Sequence, residues 1–188
     1  MKTRFAAFLM SAAFALPAMA ADSYTVDPSH TYPSFEINHL GFSTMRGTFD
    51  TTNGKIMLDP AARSGSIEIT IDATSVDTGH GKRDEHLRGE EFFNVAKFPT
   101  LTYKATKLNF NGDKLSGADG ELTLLGVTRP VSLIITAFNC GPHPMNKKQV
   151  CGANATATIK RSEFGMMTYV PKVGDEVTIS IEVEAVKS

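Results

Sequence analysis

The stretch "EVTISIEVEAV", residues 176–186, alternates without a break, with Val177, Ile179, Ile181, Val183 and Ala185 against Thr178, Ser180, Glu182 and Glu184. Successive side chains of a β-strand point to opposite faces, so this segment reads as a strand with one oily face and one wet face. Strands of that kind build antiparallel sheets solvated on one side. The same period recurs upstream. In "SFEINH" (34–39), Phe35, Ile37 and His39 share a face. In "SIEITIDATS" (66–75), Ile67, Ile69 and Ile71 do. "ELTLLG" (121–126) gives Leu122 and Leu124, and "VSLIITAF" (131–138) gives Val131, Leu133 and Ile135.

Turn formers separate these runs. Asn53-Gly54 and Asn111-Gly112 carry the strongest short hairpin signal, Gly126 marks another turn, and "DPAARSG" (59–65) makes a longer connection. Strands are expected near 24–39, 42–50, 54–59, 65–76, 100–110, 114–125, 128–139, 152–162 and 175–186. Long amphipathic strands with short connections leave a sandwich or a closed up-and-down barrel. The strand lengths favour the barrel, which also removes exposed sheet edges. The expected fold is therefore all-β, an eight-stranded antiparallel barrel with a short helical insert near 80–96. A barrel of about eight strands is either filled by side chains or holds one slender ligand.

The insert, "GHGKRDEHLRGEEFFNVAKFP" (79–99), breaks the pattern. Gly79 and Gly81 end the preceding strand, Lys82–Arg88 can form two helical turns, and Gly89 is a natural stop. A helical insert between barrel strands sits over a barrel end or against the outer wall. Over an end, Leu87, Phe92 and Phe93 either cover the lumen as a lid or plug it. Composition alone leaves both open.

The N-terminus is a separate object. Lys2 and Arg4 precede an apolar run from Phe5 to Leu16, and Pro17 is followed by Ala18-Met19-Ala20, an A-x-A cleavage signal. Residues 1–20 read as a cleaved signal peptide, and 21–188 as one domain. Without Lys2 and Arg4, a total of 19 basic against 20 acidic residues becomes a modest acidic excess. That balance argues against a nucleic-acid partner. No further apolar run is long enough to span a membrane as a helix. Export implies an oxidising compartment, so Cys140 and Cys151 are expected to pair across the polar loop "GPHPMNKKQV" (141–150). Closing so short a loop stabilises by about 2–3 kcal/mol.

Five stretches carry a resemblance: "YTVDPSHTYPSFEINHLGFSTMRGTFDTTNGKI" (24–56), "RDEHLRGEEFFNVAKFPTLTY" (83–103), "GELTLLGVTRPVSL" (120–133), "IKRSEFGM" (159–166) and "VGDEVTISIEVEA" (173–185). In this order they resemble the YceI-like family over essentially all of 21–188. The resemblance implies a periplasmic or secreted protein and an elongated, lipocalin-like barrel that binds polyisoprenoid or similar long-chain amphiphiles. The Cys140–Cys151 hairpin is longer and richer in proline than the family pattern, so no role is carried over to it.

Pattern and resemblance together give an expected lumen: Phe35, Ile37, Phe42, Met45 and Phe49 from the first strands; Ile69 and Ile71; Leu87, Phe92 and Phe93 from the insert; Leu101 and Tyr103; Leu122 and Leu124; Leu133 and Ile135; Phe164 and Met166; and Ile179 and Ile181. The rival is a solid core of the same residues. His30, His39, Arg83, Asp84, His86 and Arg161 are headgroup candidates at the mouth. His39 is equally readable as a satisfied core histidine. The expected ligand is an isoprenoid lipid or quinone, with no cofactor or metal. No G-x-S-x-G, H-E-x-x-H or Gly-rich phosphate loop occurs, so catalysis is not expected. The alternatives are an enzyme acting on such a lipid, for which Ser43 or Ser162 beside a histidine is the opening, and a stress-response module with a filled core. A homodimer is compatible with the sequence.

Overall fold

The computed structural model describes residues 21–112 and 114–188; the expected signal peptide, 1–20, lies outside the described residues. The alternating runs become β1 (Asp22–Val26), β2 (Ser34–His39), β3 (Ser43–Phe49), β4 (Thr52–Asp59), β5 (Ser64–Asp72), β6 (Val76–Asp77), β7 (Thr100–Asn111), β8 (Lys114–Leu124), β9 (Val127–Pro142), β10 (Gln149–Lys160) and β11 (Val173–Lys187). The insert supplies α1 (Gly81–Arg88).

These segments make eight courses around a closed antiparallel ring. β11 pairs with β1 near its end (Tyr24 opposite Lys187) and with β2 nearer its start (Phe35 opposite Ile179). β1 and β2 are thus two halves of one course, broken by a 3-10 turn at Pro28–His30 whose Asp27 carboxylate accepts the Ser29 amide at 2.9 Å. In the same way β3 pairs with β2 while β4 pairs with β1, so β3 and β4 form the second course. The third is β5 with β6, bent at Ala73–Ser75. β7 to β11 follow one another, and the first course closes on β11. This is the meander that short connections imply.

Two expectations need correction. Asn53-Gly54 is not a hairpin turn but lies inside β4. Gly54 is there for close approach: a Cβ would stand 2.7 Å from Ile69 Cδ1 and nearer still to the Glu68 carbonyl. The chain bends instead at Asp50–Thr51, so the runs near 42–50 and 54–59 are one course rather than two. Asn111-Gly112 and Leu125-Gly126 do turn the chain, with positive φ at Gly112, Leu125 and Gly126.

The ring has two unlike ends. At one, β9 and β10 meet in a hairpin in which Cys140 stands opposite Cys151 and is bonded to it. At the other gather α1, the β2–β3 turn (40–42), and the loop 165–172 between β10 and β11.

Candidate functional site

The barrel is hollow. A cavity of about 370 Å3 runs inside it, lined by inward side chains from every course. Exposure along β11 shows this directly. Outward Thr178, Ser180 and Glu182 are exposed, while inward Val177, Ile179 and Ile181 are only half-buried. In a filled barrel those inward side chains would be sealed by partners across the axis at close-packed density. Elsewhere the wall is tight: Tyr24, Leu58, Leu101, Leu122 and Leu124 are buried.

Few polar atoms reach the lumen. The Tyr103 hydroxyl shares its proton between the carbonyls of Ala118 (3.1 Å) and Val131 (3.0 Å). Burial, with a smaller push from Asp119, raises its pKa to about 12. Thr31 exchanges hydrogen bonds with the Glu184 backbone. Thr52 is fully buried, lines the cavity, and its Oγ1 has no hydrogen-bond partner.

Of the lining residues, those exposed to solvent are Arg46, His86 and Tyr169, all at the end that carries α1. The lumen therefore opens there. The charge of the insert fastens it across this opening. Arg83 Nε donates to Thr78 Oγ1 (2.7 Å), which donates in turn to buried Asp84 (2.5 Å). Arg83 also donates to the Thr78 carbonyl, and Arg88 to those of Thr74 and Val76. Three charged side chains thus strap α1 to the strand beneath it. The following turns aim the two phenylalanines differently. Phe93 is buried and packs edge-on against Phe49 (5.3 Å between centroids) and Phe35 (6.4 Å). Phe92 stays half-buried between His86 (5.0 Å) and Tyr169 (6.3 Å). Phe93 thus packs into the aromatic cluster at this end of the lumen, while Phe92 packs across the opening.

All of the expected lumen residues line the cavity except Phe42 and Phe164. Phe42 is 90% exposed. The chain turns at Leu40 and Gly41, both with positive φ, and β3 begins only at Ser43, so strand alternation does not yet govern Phe42. Phe164 is buried, but on the 3-10 turn Arg161–Phe164, where the chain has left strand geometry; it packs in the core outside the lumen.

The headgroup candidates divide. His39, Arg83 and His86 line the cavity at its mouth. Asp84, on the inner face of α1, is buried and accepts from Thr78. His30 is elsewhere, on the outer corner between β1 and β2, where Nδ1 meets Asp27 Oδ2 at 2.9 Å. Arg161 touches the lumen, but its guanidinium is engaged by four carbonyls: Gly174 (2.8 Å), Met166 (3.0 Å), Thr168 (2.9 Å) and Val173 (3.0 Å). It is the hub of loop 165–172 rather than a free mouth cation. Ser162 donates to Asp175 at 2.8 Å rather than to a histidine. Ser43 stands opposite His39 in the β2–β3 register, with no hydrogen bond joining the side chains.

Sequence reading missed much of the lining. Ile67, Val177 and Val183 belong to stripes already identified and were findable by extending the alternation. Thr31 and Thr52, polar residues facing in, had no signal of that kind.

A family model described as the YceI-like domain matches residues 24–185. The chain belongs to the YceI-like family. Protein YceI of Escherichia coli O157:H7 is 39% identical over 188 residues, 97% of this chain and 94% of that protein. Its counterpart in Salmonella arizonae is 38% identical over 182 residues, 95% and 94%. Among solved structures, a YceI protein of Campylobacter jejuni aligns with TM-score 0.68 and 29% identity, covering 80% of this chain and 90% of that one. Burkholderia cenocepacia BcnA aligns with TM-score 0.71 and 24% identity, covering 85% and 98%. A polyisoprenoid binding domain from Saccharophagus degradans shares the YceI-like fold, with TM-score 0.66 and 17% identity, covering 90% and 100%.

Proposed function

We infer that this protein encloses the hydrocarbon chain of a long-chain isoprenoid lipid, of polyprenyl or quinone type, and serves as its periplasmic carrier or store. The observation that carries this reading is the half-buried state of the inward side chains on β11 and around the ring: the lumen is apolar and has room. Its volume lies within the range of small-molecule sites, roughly 300–1,000 Å3. Burying a methylene stabilises by about 0.8 kcal/mol, so each five-carbon unit contributes about 4 kcal/mol before ordering costs. Such a chain does not cross water unaided.

A lumen of about 370 Å3 accommodates a chain of limited length. A longer chain needs the Phe35–Phe49–Phe93 cluster to shift or its tail to leave by the mouth. His39, Arg83 and His86 would meet a polar headgroup there. The description of the Saccharophagus degradans domain as polyisoprenoid binding agrees with this, through the fold they share.

Native mass spectrometry of the protein purified from its own periplasm tests the reading. The expected result is a lipid-sized adduct whose extract contains an isoprenoid chain. A bare mass, with no uptake of added long-chain quinone, contradicts it. Slow turnover of the bound lipid points to an enzyme instead.

A further inference from the structure

The apolar surface around the mouth has no role inside the barrel. Leu40 and Phe42, at the β2–β3 turn, are 46% and 90% exposed; Met167 and Tyr169, on the facing loop, are 59% and 54% exposed. They form one rim. The Leu40 amide donates to the Lys172 carbonyl at 3.0 Å, joining the turn to the loop, and Phe92 packs on Tyr169, joining both to the lid. Tyr169 also lines the cavity, so the exposed surface is continuous with the lumen.

We propose that the rim of Leu40, Phe42, Met167 and Tyr169 is a membrane-docking surface that inserts into a lipid bilayer and joins the lumen to its hydrocarbon. This rests on the lipid-enclosing reading above. Three observations favour a bilayer over a protein partner. The apolar groups stand on two loop tips that project around an opening, rather than forming a groove or a flat face. The exposed Lys172, whose carbonyl accepts from the Leu40 amide, supplies a cation on the same rim for a phosphate headgroup. Finally, a hydrocarbon chain leaving the lumen needs an unbroken apolar path, because every methylene that crosses water opposes its release. A rim seated in the bilayer supplies that path.

The loop that carries two of the four side chains is held in place by the buried Arg161, which donates to the carbonyls of Met166, Thr168, Val173 and Gly174. The protruding groups are thereby presented on fixed backbone. At the opposite end Met145 is just as exposed, at 86%, but stands on the disulfide hairpin and does not line the lumen. It is an internal control.

The test is flotation of the full-length mature protein with vesicles of phosphatidylethanolamine and a minority of phosphatidylglycerol, with bound lipid followed in parallel by native mass spectrometry. Interfacial binding scales with the apolar area inserted, so Phe42→Glu with Met167→Glu should lower the vesicle-bound fraction about ten-fold. Neither residue lines the cavity, so the melting temperature and the affinity for a prenol added without vesicles should stay unchanged. Met145→Glu should float like the wild type. A wild type that carries lipid yet does not float overturns the docking surface and leaves the carrier intact. One that floats through this rim yet never holds a lipid supports the docking surface and sinks the carrier. A concentration-dependent dimer abolished by Phe42→Glu, with no vesicle binding, would show that the rim faces a second copy and also overturns the proposal.

Discussion

The two ends of the barrel solve the same problem by different chemistry. Where β9 meets β10, the hairpin is fixed covalently by Cys140–Cys151, and the wall nearby is built of small side chains such as Ala153, Ala155 and Ala185. Where α1 covers the ring, nothing is covalent. Arg83, Asp84 and Arg88 strap the insert to residues 74–78, and Arg161 gathers the carbonyls of the facing loop. A covalent bond resists opening on every timescale that matters for binding. Hydrogen bonds can break and re-form as a ligand passes. The lumen is open to solvent at the end whose closure is non-covalent, as the proposed entrance requires.

The comparison breaks most easily at Arg161. Arg161→Leu strips four backbone carbonyls of a buried charged donor and should cost about 4 kcal/mol of unfolding free energy, measured by urea titration. A loss below about 1 kcal/mol would mean that water replaces the guanidinium freely and that the mouth has no hub. The other end should respond less. Cys140→Ala with Cys151→Ala is expected to cost about 2–3 kcal/mol while the lipid load by native mass spectrometry stays constant. Lost lipid at unchanged stability would place the entrance at the wrong end.

Smaller still in stability, and sharper in meaning, is Phe92→Asp. The ring is only half-buried, so the melting temperature should fall by an amount equivalent to roughly 1 kcal/mol, while lipid retention drops far more. Proportionate losses in both would make Phe92 ordinary core.

Acid provides the gentlest probe. The Asp175 carboxylate is held below its ordinary range, first by the Ser162 amide and then by the Ser162 hydroxyl and the Arg161 and Lys160 charges, against some burial. A depressed carboxylate contributes stability that is present above its unfolded pKa of about 3.9 and is lost as pH falls through the lower folded value. Amide exchange at residues 161–175 should therefore be insensitive to this group from neutral pH down to about 4. Below that it should quicken, while residues 140–151 stay protected. Simultaneous loosening of both ends would erase the distinction between them.

Much of this was legible in the chain. Alternation in 176–186 and its counterparts placed the strands and most of the lining, because a period of two survives whatever the tertiary context. It could not tell a hollow barrel from a filled one, since both need the same inward stripe. It also failed wherever the backbone leaves strand geometry. Phe42 follows a left-handed turn and points out; Phe164 sits on a 3-10 turn and packs beside the lumen. Asn53-Gly54 misled for a related reason, because a glycine needed for close approach looks like one needed for a turn. Arg161 lines the lumen, but it is buried and its guanidinium is engaged by backbone carbonyls, most of them from a loop with no pattern of its own, so it is not the free headgroup cation that the sequence suggests. His30, read with the mouth residues, pairs with Asp27 three positions away.

The central claim is that the barrel encloses a chain in a lumen of finite length. The most direct measurement is the affinity of lipid-free protein for a series of prenols that differ only in the number of isoprene units. The account predicts that affinity climbs steeply with each added unit and then levels off once the lumen is filled. An affinity that is flat from the shortest member onward, set by the headgroup alone, would contradict it.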